Sequence, residues 1–267
     1  MKQFILPAPP DKQGKVCLSG EDYHYLVNVR RLAPGDAFDV RLPSGEAALV
    51  RVCSVEKGRL MGVCMPRPGA PEAGDAPEGP SLPVIVLFQA LPKGSKMDLI
   101  VRQAAEGGLH EVVPFSSDFT VPRIGERGEE RRERWQRIVK AALQQSNSPV
   151  ATVVRPPCTA DALGRYWQNL RDHYPRALGL LLHQDPLAKE TLHDYLSRDP
   201  ELVALAVGPE GGFSPDEAAR FLALGFKPIV IGNTIFRVET AALYASAAVR
   251  TILLERASWT LKVPNPL

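Results

Sequence analysis

Up to residue 65 the chain runs as short apolar stretches separated by turn residues. Lys15–Leu18, Ala37–Arg41, Ala47–Val55 and Leu60–Met65 read as strands, divided by Pro34-Gly35-Asp36, Pro43-Ser44-Gly45 and Lys57-Gly58. Between Ser19 and Leu32, the residues Tyr23, Leu26, Val27 and Leu32 share one face of a helix, with Ser19 as its cap. Residues 1–70 are therefore expected to form a small β-barrel with one helix. From residue 84 the pattern changes. Val84–Ala90, Glu111–Phe115, Val150–Val154, Leu178–His183, Leu202–Val207 and Lys227–Ile231 are apolar runs of strand length. Helices are predicted between and after them, near 96–106, 127–146, 160–170, 188–197, 214–224 and 239–256. Continuous apolarity in the strands means that both sheet faces are covered, which predicts an α/β domain over 80–267 with a mostly parallel sheet. The 214–224 helix carries the fullest punctuation: Ser214 as cap, Pro215 in the first turn, Glu217 for a capping box and Gly225 as the stop.

Residues 66–83 fit neither pattern. Six prolines and three glycines with Leu82 as the one large apolar residue cannot bury enough surface to offset ordering, so the segment reads as a linker. The whole chain has 267 residues, 45% hydrophobic and 23% charged, which is enough for two domains with their own cores. A formal net charge of +2 excludes a strongly basic, tail-driven nucleic-acid binder. No apolar run reaches the roughly 18 residues of a membrane span. The run Val238–Leu254 is interrupted by Glu239 and Arg250, and the stretch ahead of Pro7 is too short for a secretory core. A cytoplasmic protein with no membrane partner is expected, with Cys17, Cys53, Cys64 and Cys158 as reduced thiols. The histidines 24, 110, 173, 183 and 193 share no ligand spacing, so no metal site is expected.

In open α/β sheets ligands bind beyond the carboxyl ends of the strands, which directs attention to three loops. Gly208-Pro-Glu-Gly-Gly212 follows one strand and precedes the capped helix. Its glycines permit close backbone approach, and its N–H groups can grip a polar ligand. A tight strand-to-helix turn is the plainer reading, although neither Pro209 nor Glu210 is needed for one. Ile231-Gly-Asn-Thr-Ile-Phe-Arg237 leads into a helix with Glu239 in its first turn, where a carboxylate also simply complements the helix dipole. Leu91-Pro-Lys-Gly-Ser-Lys96 places two lysines at a helix start. Cations are unfavourable there, so a nearby anion makes better sense of them. Residues 123–140 hold seven Lys/Arg against four Asp/Glu. They read as a solvated helix face with Glu130–Arg134 and Glu133–Arg137 pairs, the alternative being an RNA-facing surface. The dinucleotide fingerprint GxGxxG, the P-loop and HExxH are absent, as is GxSxG.

QALPKGSKMDLIVRQAAEGG, RWQRIVKAALQQS, AVGPEGGFSPDE and IGNTIFRVETAAL occur in this order, preceded by HYLVNVRRLAPGD at His24–Asp36. Together they resemble the RsmE family, SPOUT-superfamily methyltransferases of 16S ribosomal RNA, over nearly the whole chain outside the proline-rich linker. The resemblance implies a PUA-like RNA-binding barrel, a SPOUT domain with a trefoil knot, and a homodimer. It implies methyl transfer from S-adenosylmethionine to N3 of a uridine in 16S ribosomal RNA of the small subunit. Cofactor contacts carried over by the motifs fall on Leu182, Gly208, Pro209, Glu210, Gly211, Gly212, Ile231, Gly232, Ile235, Thr240 and Ala241. Arg237 and Glu239 are the candidate catalytic residues, and Arg30, Arg31, Lys93 and Lys96 the candidates for docking RNA. The chain departs from the family pattern at Leu143–Pro149, at Thr234 in place of an arginine, and at Glu106-Gly-Gly. A SPOUT enzyme with another RNA target, or an assembly factor without transfer, would share much of this sequence. The intact GPEGG and RVETA runs speak against the assembly factor.

Overall fold

The computed structural model describes residues 4–67, 82–121, 128–183, 190–232 and 234–256. The chain divides into two compact units, Met1–Glu78 with Lys140–Ala151, and Gly79–Val139 with Thr152–Leu267.

The first unit is built on β1 (Phe4–Ile5), β2 (Lys15–Ser19), β3 (Ala37–Arg41), β4 (Ala47–Glu56) and β5 (Arg59–Pro66), with the short helix α1 (Gly20–Tyr23) after β2. The sheet order is β1-β3-β4-β5-β2, parallel at β1–β3 and antiparallel elsewhere. Alternation buries Val16 and Leu18 of β2 and Ala48, Val50 and Val52 of β4 against Phe4, Leu26 and Leu60. The pairing of β4 with β5 shifts register between Val52 and Ser54.

The expected helix over 19–32 takes a different form. After α1 the chain widens into a π-helical turn at His24–Val29. The N–H of Arg30 donates to the Tyr25 carbonyl at 2.9 Å and that of Leu32 to the Leu26 carbonyl at 3.0 Å. This wider winding keeps Leu26 in the core, while Arg31 turns the chain with φ of 58°. Ser19 stands at the cap position but its side chain makes no capping bond, so that expectation fails.

The second unit runs β6 (Val84–Ala90), α2 (Lys96–Glu106), β7 (Glu111–Ser116), α3 (Gly128–Ser146), β8 (Val153–Val154), β9 (Cys158–Thr159), α4 (Ala160–His173), β10 (Ala177–Leu182), α5 (Leu192–Leu196), β11 (Leu202–Val207), α6 (Pro215–Ala223), β12 (Lys227–Ile229) and α7 (Val238–Arg256). Residues of α3 from Lys140 onward group with the first unit. The strands form a parallel sheet in the order β12-β10-β11-β6-β7-β8, with β9 also on β7. One face, through Val86, Phe88 and Ala90, packs on Trp167 of α4, Phe221 of α6 and Phe226. Successive strand residues point to opposite faces, and Leu87 accordingly lines a small cavity on the other side with Ile100 and Ala104 of α2 and Ala242 of α7.

Two expected strands are shorter than their apolar runs. Val150–Val154 gives only β8, because Thr152 is held by its side chain instead, its hydroxyl donating to the Leu109 carbonyl at 2.6 Å. Lys227–Ile231 stops at Ile229 on the sheet edge, a position at which Pro228 within the strand is tolerated. On α3, Arg134 pairs with Asp98 of α2 rather than with Glu130.

Candidate active site

The six residues of β11 are all buried, and its last, Val207, pairs with Gln89 of β6. The chain then folds back on itself. A side chain at Gly208 would place its Cβ 3.0 Å from the Gly212 carbonyl carbon, a tight contact that the turn would have to give way to accept. Gly212 has φ of 70° and donates its N–H to the Pro209 carbonyl at 2.9 Å, closing the turn. Phe213 anchors the far side, its ring centroid 5.1 Å from that of Phe221 and 6.4 Å from that of Phe115.

The capping box at the start of α6 is present as the sequence indicates. The Ser214 hydroxyl accepts from the Glu217 N–H at 3.2 Å, and Glu217 Oε2 accepts from the Ser214 N–H at 3.0 Å. Two further bonds were not legible. The other Glu217 oxygen accepts from the Asp118 N–H at 2.9 Å, and the Ser214 hydroxyl donates to the Asp118 carboxylate. Glu217 is only 3% exposed, and a backbone N–H at each oxygen is what makes that burial tolerable.

Of the two lysines near the start of α2, Lys96 finds its anion in Glu210, which Lys93 reaches only through its main chain. Lys96 Nζ lies 2.5 Å from Glu210 Oε1, and the Lys93 N–H donates to the same oxygen at 3.0 Å. The loop after β6 is thereby tied to the turn after its neighbour β11. Burial pushes the Glu210 carboxyl up, but the Lys96 ammonium and nearby backbone N–H groups outweigh it and hold the group below its ordinary value.

A cavity of about 950 Å³ opens beyond the carboxyl ends of β10, β11 and β12. Leu182, all five residues Gly208–Gly212, Ile231, Gly232, Ile235, Arg237, Ala241 and Lys96 line it. The three loops singled out from the sequence thus converge on one space. Glu239, Thr240 and Lys93 stand outside the lining. Arg237 is exposed, and its carbonyl accepts from the Ala241 N–H at 2.8 Å as α7 begins. Glu239 Oε2 is buried without a hydrogen-bond partner among the described residues. Ile235 is 80% exposed, an unusual state for isoleucine beside a cavity. Asn233 lies outside the described residues. Arg30 and Arg31 belong to the first unit, where the Arg30 guanidinium sits 5.8 Å from the Phe38 ring centroid, with Nη1 buried and without a hydrogen-bond partner among the described residues.

Sequence reasoning missed His183, Val230 and Phe236, which also line the cavity. His183 directly follows Leu182 at the end of β10, so strand-end position was a signal for it. Val230 and Phe236 read as ordinary apolar residues. Among the described residues no group of three or more His, Cys, Asp and Glu side chains is placed to hold a metal ion. Glycine backbone close to an open cavity, with few charges around it, fits a nucleoside-sized ligand held largely by main-chain groups.

Comparison with known proteins agrees with this geometry. Residues 80–250 match the family model of an RNA methyltransferase domain, and residues 18–60 that of an RNA methyltransferase PUA domain. The ribosomal RNA small subunit methyltransferase E of Synechocystis sp. is 30% identical over 244 residues, covering 90% of this chain and 74% of that protein. The Mycobacterium bovis protein of the same name is 29% identical over 255 residues, covering 92% and 90%. The crystal structure of a ribosomal RNA small subunit methyltransferase E from Neisseria gonorrhoeae bound to S-adenosyl methionine superposes with a TM-score of 0.76 at 26% identity, covering 94% of this chain and 98% of that one. With its cavity where these strands end and its sequence shared along nearly its full length, the chain belongs to the ribosomal RNA small subunit methyltransferase E family, as its motifs had suggested.

Proposed function

We propose that this protein transfers a methyl group from S-adenosylmethionine to N3 of a uridine in 16S ribosomal RNA. In this reading it works as a homodimer in the bacterial cytoplasm. Its N-terminal sheet closes as a PUA-like barrel that docks RNA through Arg30 and Arg31, and its C-terminal domain carries a trefoil knot. The observation that carries the reading is the joint lining of one cavity by the Gly208–Gly212 turn and the 231–237 loop, with Arg237 at its edge.

S-adenosylmethionine supplies an electrophilic methyl group on a sulfonium centre. The turn Gly208–Gly212, with Leu182, Ile231, Gly232, Ile235 and Ala241, holds it against main-chain donors and apolar side chains. Uracil N3 bears a proton between two carbonyls and is a poor nucleophile until that proton leaves. It also lies on the Watson–Crick edge, so the base must be unpaired to reach the cavity. Arg237 is suited to donate hydrogen bonds to the carbonyl oxygens on which negative charge develops, since a guanidinium stays charged at neutral pH. The unpartnered Glu239 oxygen is an acceptor in want of a donor, which fits a role in orienting Arg237 or a water.

The test is transfer from labelled S-adenosylmethionine to purified small subunits lacking the modification, with mapping of the product nucleoside. N3-methyluridine at a single 16S site is expected. Transfer to another nucleoside would overturn the target, and absence of transfer would overturn the activity.

A further inference from the structure

Among the described residues that line the cavity, Glu210 is the one acidic side chain, and it stands with two cations, Lys96 and Arg237. Lys96 is the first residue of α2, where the helix dipole opposes a positive charge. It is held there by Glu210, which also binds the Lys93 N–H. The pair is only partly exposed, 36% and 28% for the two side chains, so solvent does not fully screen it. Arg237 has no side-chain partner among the described residues, so the cavity carries an unbalanced cation already. Discharging Glu210 would leave two.

On the reading that S-adenosylmethionine binds in this cavity, we propose that Glu210 determines specificity for the charged donor: its carboxylate cancels the charge of Lys96 beside the cavity and so lets the site accept a sulfonium. The donor and its demethylated product, S-adenosylhomocysteine, differ by one methyl group and one positive charge at sulfur. A residue that only shaped the turn would act on both ligands alike. A residue that sets the local charge acts on the sulfonium and leaves the neutral thioether nearly untouched.

Calorimetric titration of the full-length protein with each ligand separates these roles. Glu210→Gln keeps the size of the side chain and an acceptor for Lys93. It is expected to weaken S-adenosylmethionine about tenfold and S-adenosylhomocysteine by no more than about twofold, from the Coulomb repulsion of one unbalanced charge. Added salt should narrow that gap. Removing both charges in Lys96→Met/Glu210→Gln should return the ratio of the two affinities close to wild type. Lys96→Met alone leaves an uncancelled carboxylate and should shift the ratio towards the donor, which keeps the idea testable should Glu210→Gln fail to fold. Equal weakening of both ligands by Glu210→Gln, or no change in either, would overturn the charge role while leaving the cofactor reading intact. A wild-type protein that binds neither ligand would overturn both.

Discussion

Lys96 and Arg237 bring the same charge to one cavity under different constraints. Lys96 is fastened to Glu210, whereas Arg237 is exposed with its main chain fixed by the start of α7. An unencumbered guanidinium is free to meet substrate oxygens, so Arg237→Ala should lower the single-turnover rate of methyl transfer about 100-fold, as loss of one oxyanion-type donor does elsewhere. Donor affinity, measured separately by calorimetry, should not fall, since the variant removes the cavity's unbalanced positive charge. A fall in affinity at an unchanged rate would move Arg237 from chemistry to binding. At this scale the sequence was informative in part. Two lysines at a helix start signalled a missing anion, because the dipole makes them unfavourable there. That the anion is Glu210, 117 positions after Lys93, is a matter of which strands become neighbours, and no local pattern records it.

The elements divide by how much of their stabilisation is local. Helix α6 was legible down to its cap because cap, box and stop are all chemistry of adjacent residues. The same cap also carries a tertiary bond to Asp118. Ser214→Ala should therefore destabilise the protein by the upper part of the usual cap range, about 1–2 kcal/mol. Chemical denaturation of Ser214→Ala beside Asp118→Ala would check it. A smaller loss in Asp118→Ala, and little loss in the double variant beyond that of Ser214→Ala, are expected if the Asp118 side chain acts through that one bond. By contrast, the π-helical turn at His24–Val29 could not be read. Its register depends on seating Leu26 in the core, and the same apolar spacing suits an ordinary helix. The shortness of β8 was equally hidden, since it follows from a side-chain bond between Thr152 and Leu109.

On the scale of the molecule, alternation of strands and helices foretold a parallel sheet, but not the order β12-β10-β11-β6-β7-β8. Strand order is set by pairings distant in sequence, which no local pattern records. Charge gives a further consequence. With a formal net charge of +2 and Lys96 engaged by Glu210, the proposed docking of RNA would fall to local cations such as Arg30, Arg31 and Lys93. Three phosphate contacts should give a plot of log affinity against log salt with a slope of about −2 to −3 for an rRNA fragment. A slope steeper than about −5 would show a wider basic surface, with the arginines of α3 the first to mutate.

Strand β11 has a neighbour on each edge and every side chain covered. Such a strand belongs to the part of a sheet that opens last, and its amide hydrogens should be among the slowest to exchange with solvent. The Gly208–Gly212 turn leaves directly from it, so the donors of the turn are already in place before any ligand arrives. On the proposed reading little conformational entropy is then lost at that turn on binding, since the Gly212 N–H is already fixed to the Pro209 carbonyl.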